Sequence, residues 1–331
     1  MFNQEEIRQM LSQNPEDFMT LYRLSLAFLE DCCYGASFAM AERAIASYEK
    51  TPNTPFQSRY FELKRLHSRL LHEHLADIIG PAASLIDPRW MPIFKLGRPR
   101  EMALDVPPEL TDELIPALNA PQLKRLRYLN LHINGRATQA IYALTQCHFD
   151  TLRALKLSFD EMPDVRALYQ FFEICRPEFT GIVSLTVQIP SIDDALALHI
   201  RAAFDTLETF ELISRTRHGI TERLCEAIAD DPKSKALTRL ALIGTSIGDK
   251  GLFTLLSSEN LSTLQVLDVQ DGILTNNAIR ILQGIHTQSS LHSINLDFNQ
   301  IDPAGIHMLK SLGISYSVAH QHRRPLTAEG D

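Results

Sequence analysis

The chain is poor in the residues that build stapled or metal-dependent folds. It has only five cysteines in 331 residues, at Cys32, Cys33, Cys147, Cys175 and Cys225. The number is odd, two are adjacent and no C-x-x-C pair occurs, so neither a disulfide framework nor a zinc site is indicated. Reduced thiols and a cytoplasmic location are the expectation. Positive charge is also short. Lys and Arg total 32 against 40 Asp and Glu, a net charge of -8, which argues against a nucleic-acid partner. No apolar run approaches the length of a membrane span. Residues 1–15 are polar and acidic, without the layout of a signal peptide. A membrane partner is therefore not expected either.

Catalytic signatures are equally scarce. The sequence contains no glycine-rich phosphate loop, no G-x-S-x-G elbow and no H-E-x-x-H pair. His72 and His74 lie two residues apart, and such residues on a helix point to different sides. His320 and His322 fall in the polar tail. We expect no metal, no cofactor and no enzymatic activity; a loose neighbourhood of His132 and Asp105 is the nearest approach to a catalytic set.

What the chain does contain is periodicity. The spacing leucine-x-x-leucine-x-leucine starts at Leu126, Leu152, Ile182, Leu207, Leu237, Leu264 and Leu291. An apolar motif that returns about every 27 residues reads as a solenoid with one strand and one helix per repeat. Because side chains alternate along a strand, the second and third apolar residues of each copy point into the core. The inward ladder is Leu129/Leu131, Leu155/Leu157, Leu185/Val187, Phe210/Leu212, Leu240/Leu242, Leu267/Val269 and Ile294/Leu296. Met102 and Leu104 extend it backward as a degenerate first repeat, and Tyr316 and Val318 forward as a last strand.

The motif and the stretch Leu291 to Leu309, with Asn299, Ile301, Gly305 and Leu309, resemble the leucine-rich repeats of the ribonuclease-inhibitor-like subfamily. The resemblance covers residues 99–318, strong over 237–312 and weak over 152–236. It implies an α/β solenoid with a parallel sheet on the concave face and helices on the convex face. The chain departs from the pattern at the position that usually carries Asn or Cys, which here holds Asn134, Asp160, Pro190, Arg215, Thr245, Gly272 and Asn299. There, water or local turns are expected to satisfy the backbone.

Before the repeats lies an α-helical domain. Asn14 and Pro15 suit a helix start, and Phe18, Leu21, Leu24, Phe28 and Leu29 follow at helical spacing. A second helix is predicted over Tyr34–Lys50. A third is predicted from Phe56 to Ile79, with Phe61, Leu63, Leu66, Leu70, Leu71 and Leu75 as its apolar set, ended by Gly80-Pro81. The first pair resembles a tetratricopeptide unit at Leu21, Leu24, Phe28, Tyr34, Ala41 and Ala44. It departs where Leu21 replaces Trp, Ser25 replaces Gly and Ser37 replaces Ala. A cap over the exposed end of the solenoid is the other reading, and the preferred one. The organisation expected is 1–85 helical cap or tetratricopeptide-like module, 86–98 junction with Trp90 packed under the first repeat, 99–318 solenoid and 319–331 flexible tail.

The function this implies is a scaffold: a non-enzymatic module that binds a protein partner of unspecified identity on the concave face. The candidate contacts are Tyr128, His132, Lys156, Glu211, Arg239, Asp268, Gln270, Asp271, Asn295 and Asp297. An alternative is an inhibitor or regulator of a partner enzyme that uses the acidic end formed by Asp268, Asp271 and Asp297.

Overall fold

The computed structural model describes residues 9, 12–13, 17–50, 52, 54–86, 93–95, 98–149, 151–216, 219–285 and 290–321. The expectations placed on Asn14, Pro15, Trp90 and the tail from His322 onward fall outside them. The chain divides into two compact units, Met1–Asp105 with Asp112–Leu129, and Val106–Thr111 with Asn130–Asp331.

The first unit opens with helices α1 (Phe18–Glu30) and α2 (Tyr34–Lys50). The N-cap of α1 is Asp17, whose carboxylate accepts the Thr20 N–H at 2.7 Å, satisfying a donor the helix itself cannot. Leu21, Leu24, Phe38, Ala41 and Ala44 are buried where the two helices meet. The Ser25 hydroxyl donates to the Ser37 carbonyl at 3.0 Å, and the Ser37 hydroxyl donates to the Ser25 carbonyl at 2.8 Å. Both serines are fully buried. Two of the three departures from the tetratricopeptide pattern thus form a reciprocal hydrogen-bonded clasp, each bond contributing about 0.5–1.5 kcal/mol.

The third helix differs from the expectation in two ways. It runs as α3 (Gln57–Glu73), breaks at His74 (φ -130°, ψ 33°) and resumes as α4 (Leu75–Ile79). At the break the His74 ring stacks on Tyr34, with centroids 3.5 Å apart, and its Nδ1 lies 3.2 Å from the Asp77 carboxylate. Phe61 is 52% exposed rather than part of the core. It stands nearly opposite the buried stripe Leu63, Leu66 and Leu70, because about 100° per residue carries it away from that face. Two further elements complete this part of the chain: a hairpin of β1 (Ile93–Lys95) with β2 (Arg98–Val106), and the short α5 (Leu114–Leu118). The antiparallel β1 has no counterpart in the repeat pattern. Met102 and Leu104 on β2 are buried as expected.

Strands β3 (Tyr128–Ile133), β4 (Ala154–Phe159), β5 (Ser184–Ile189), β6 (Thr209–Ser214), β7 (Arg239–Ile243), β8 (Val266–Asp268), β9 (Ser293–Asn295) and β10 (Ser315–Ser317) follow. Each of β3 to β9 begins two residues after its motif leucine or isoleucine. The strands stand in the sheet in chain order. From β4 to β10 each pairs in parallel with the next. The register joins Leu155, Leu185, Phe210, Leu240, Leu267, Ile294 and Tyr316 in one row. The uneven steps of the motif are therefore absorbed in the connections and leave the ladder in line. All fourteen inward residues of the seven motifs are buried, each contributing roughly 1.5–3 kcal/mol.

One helix follows each strand from β3 to β9: α6 (Ala137–Leu144), α7 (Val165–Ile174), α8 (Asp194–Ala202), α9 (Glu222–Asp230), α10 (Gly248–Leu256), α11 (Asn276–Ile285) and α12 (Pro303–Leu309). The second unit is thus an α/β repeat solenoid. Side chains at the helix starts bind one repeat to the next. Asp194 accepts the N–H and the O–H of Thr221, at 2.8 and 2.6 Å. Asp249 accepts the same pair from Thr275, at 2.9 and 2.6 Å. The Asn276 side-chain oxygen accepts the Asp302 N–H at 3.0 Å. Under the middle repeats, Phe149, Phe171, Phe172, Phe179 and Phe204 are fully buried and touch edge-on or stacked.

The bends after the strands are not served by water or local turns alone. Arg215 and Thr216 both donate their N–H to the Pro190 carbonyl one repeat back, and Asp160 donates to Ile133 in the same way. Asn299 supplies the side-chain version. Its Oδ1 accepts the N–H of Gly272 and Leu274, while its Nδ2 donates to the carbonyls of Val269 and Leu296, all within 3.0 Å. The end of the solenoid also corrects the expected tail. Residues 319–321 are tied down: Ala319 N–H reaches the Asp297 carboxylate at 2.5 Å, Gln321 bonds Leu296 and Ile301, and His320 stacks on Phe298. No described helix is long and apolar enough to cross a membrane.

Candidate binding surface

Alternation leaves one residue in two of each strand off the core, and the register gathers these residues into rows. The middle row runs Lys156, Thr186, Glu211, Ala241, Asp268 and Asn295. One flanking row runs Ala154, Ser184, Thr209, Arg239, Val266, Ser293 and Ser315. The other runs Ser158, Gln188, Ile213 and Ile243. Of the ten candidates from the sequence, Lys156, Glu211, Arg239, Asp268 and Asn295 fall within these rows. His132 lies on β3, while Gln270, Asp271 and Asp297 follow the ends of β8 and β9. Tyr128 belongs to the first unit and the other nine to the second.

Several of these side chains are engaged with one another or with neighbouring strands. Glu211 accepts the Thr186 hydroxyl at 2.9 Å with one oxygen and the Arg239 Nε at 2.5 Å with the other. Asp268 accepts the Asn295 amide at 3.1 Å and the Gln270 N–H at 3.2 Å. Burial pushes the Asp268 carboxyl above the ordinary range, and these hydrogen bonds and the charge of Arg239 offset only part of that rise. Asp297 accepts the Ser317 hydroxyl at 2.7 Å and so holds the last strand in place. Asp271 is only 8% exposed and takes a left-handed backbone, φ 56°. It therefore sits inside the turn after β8 rather than on the open rows.

Sequence reasoning missed a second cluster. Asp160 Oδ1 lies 2.6 Å from Arg215 Nη2 and 3.4 Å from His132 Nε2. Burial would raise the Asp160 carboxyl, but the hydrogen bonds and charges of Arg215 and His132 outweigh it and hold the group below its usual value. Asp160 and Arg215 occupy the same slot of the repeat, the one where the family pattern has Asn or Cys. That shared position was the available signal. Lys156 stands out in the opposite sense. It is half-exposed in the middle of the face, and no described side chain pairs with it.

No family model matches the sequence, and no curated protein does. Among solved structures, the chain is similar to a protein from Bacteroides fragilis, with a TM-score of 0.49 and 15% identity over 80% of this chain and 85% of that one. It is also similar to the Rad7 and Elc1 complex of yeast, with a TM-score of 0.42 and 15% identity over 66% of this chain and 67% of that one. Likeness at this level fixes neither a family nor an activity.

Proposed function

We propose that the protein is a non-enzymatic interaction module that holds a protein partner against the open face of its solenoid sheet. One observation carries the reading. Seven strands in continuous register present parallel rows of polar and aliphatic residues, most of them half-exposed, with Ser158, Thr186 and Ala241 buried among them. A parallel sheet is normally covered on both faces, so an open one is a surface kept for contact. Lys156, Gln188, Ile213, Ile243 and Asn295 form the contact set, with Glu211 and Arg239 as a fixed ion pair among them. Asp271 is left out because it is buried. The reading places the repeats in the ribonuclease-inhibitor-like subfamily, supported by the backbone-capping role of Asn299. It keeps the N-terminal helices as a cap or tetratricopeptide-like module, supported by the packing of Leu24, Phe38, Ala41 and Ala44. A cytoplasmic location suits the buried thiols of Cys147, Cys175 and Cys225, which burial pushes up to about 12 and so keeps unreactive.

The regulator that works through an acidic end is not carried forward. Asp268 and Asp297 already bond Asn295, Gln270, Ser317 and Ala319. The decisive experiment places a photo-cross-linking residue at Lys156, Gln188 or Asn295, and in separate samples at Phe253 or Ile174 on the helices. A shared adduct from the strand positions alone is expected. Adducts confined to the helix positions would overturn the proposal.

A further inference from the structure

The first unit carries a second surface with a more definite chemistry. A groove of about 300 Å³ runs between α1 and α3. One wall is Tyr22, Leu26 and Leu29, the other Glu62, Leu66 and Arg69, with Leu63 and Arg65 beside them. Both walls repeat at i, i+4 and i+7, so each is two helical turns long, roughly 10 Å at about 1.5 Å per residue. The floor is leucine. One end is closed by the Tyr22 hydroxyl, which donates to Glu62 at 2.8 Å, with the Arg59 guanidinium over the same ring at 5.8 Å.

The lining holds two guanidinium groups, Arg65 and Arg69, against one carboxylate, Glu62, which accepts the Tyr22 hydroxyl. Arg65 and Arg69 are exposed, and among the described residues neither has an ion-pair partner. They lie four apart on one helix, with Cβ atoms about 6 Å from each other. In a chain of net charge -8, an unneutralised arginine pair beside an apolar trough is a local reversal of sign. A nucleic acid would meet the charge of the whole chain as repulsion and leave the leucines unused. An amphipathic helix satisfies both features.

We propose that this groove binds an acidic amphipathic helix of a partner protein, with two carboxylates one turn apart on Arg65 and Arg69 and leucine-like side chains over Leu26, Leu29 and Leu66. This surface is independent of the open sheet face. It gives the helical unit a recognition role of its own.

The test is a display library of twelve-residue helical peptides selected on the full chain and counter-selected on Arg65→Glu/Arg69→Glu. Enrichment of Asp or Glu pairs four apart, flanked by large apolar residues, is expected. A selected peptide should bind the double variant at least tenfold more weakly, and exchanging its acids for Lys should restore binding to that variant. If the charge reversal unfolds the unit, Arg65→Gln/Arg69→Gln takes its place, with circular dichroism as the check. No enriched peptide, enrichment without acidic pairs, or affinity indifferent to the arginines would overturn the proposal. Self-association abolished by the double variant would assign the groove to a second copy. Tighter peptide binding after deletion of residues 1–13 would assign it to the chain itself. Either result also rejects the partner helix.

Discussion

The strands β4, β5 and β6 are each six residues long, yet their motifs at Leu152, Ile182 and Leu207 are unevenly spaced. The strands β7, β8 and β9 are five, three and three residues long, and their motifs at Leu237, Leu264 and Leu291 recur at a constant step. The stretch with the weaker repeat signature has the longer hydrogen-bonded ladder. The two regions satisfy the same needs by different means. In the middle repeats the backbone is served by neighbouring strands and by carbonyls such as that of Pro190, and the core is filled by five phenylalanines. Neither device requires one residue at one position, so the lengths can drift. In the late repeats a short ladder leaves backbone groups at the bend without strand partners, and the Asn299 amide serves five of them at once. That device works only from a fixed position. Regular spacing in the sequence is therefore no guide to strand length.

Deleting a ring from the middle core should produce the largest effect. Phe179 touches Phe149, Phe171, Phe172 and Phe204. Phe179→Ala is expected to cost about 3–5 kcal/mol in urea unfolding. Leu267→Ala, in the late ladder, should lie toward the lower end of about 2–5 kcal/mol. Equal costs would mean that the phenylalanines give the middle region no special dependence on packing.

The capping contrast comes next. Asn299→Ala strands the N–H groups of Gly272 and Leu274 and the Val269 carbonyl, while Gln321 still serves the Leu296 carbonyl, and a loss of roughly 3 kcal/mol is expected from the desolvation penalty of unsatisfied groups. Pro190→Asn, at the equivalent slot in the irregular region, should change the unfolding midpoint little. A stabilising Pro190→Asn would show that the middle region lacks caps and does not merely manage without them.

The smallest effects are electrostatic, and they should have opposite signs. Asp160 titrates below its unfolded value of about 3.9. Its ionised form adds stability above that value, and the gain is lost as pH falls through the folded pKa. Asp268 titrates above its unfolded value. Its ionised form opposes folding, and that burden lifts as pH falls through the raised folded pKa. At pH 7, Asp160→Asn should therefore lower the melting temperature slightly and Asp268→Asn should raise it, with the two differences narrowing in acid. Parallel shifts would show that the two carboxylates do not differ in environment.

The repeats were legible residue by residue because burial enforces them. Every inward leucine named from the spacing is buried, and the strands start at a constant offset from the motif. The second helix was legible down to its bounds, Tyr34–Lys50, whereas the first starts at Phe18 with Asp17 as its cap, three residues beyond the start read from Asn14 and Pro15. The clasp between Ser25 and Ser37 was visible only as two departures from a pattern. Phe61 was misread because an apolar residue near a stripe need not lie on it. The acidic end read from Asp268, Asp271 and Asp297 was a correct count of charges. Their commitment to Asn295, to the last strand and to a buried turn depends on contacts between neighbouring repeats, which spacing alone does not reveal.

By itself, the sequence determined where the strands of the repeats lie and which residues they bury, because the leucine-x-x-leucine-x-leucine spacing combines a strand's alternation with a fixed repeat period. Tertiary structure alone decided which charges remain available. An ionised group is spent or free according to what lies within about 4 Å of it, and those neighbours come from other repeats. Arg65, Arg69 and Lys156 look no different in the sequence from Arg215 and Arg239, and only folding separates the uncommitted from the paired.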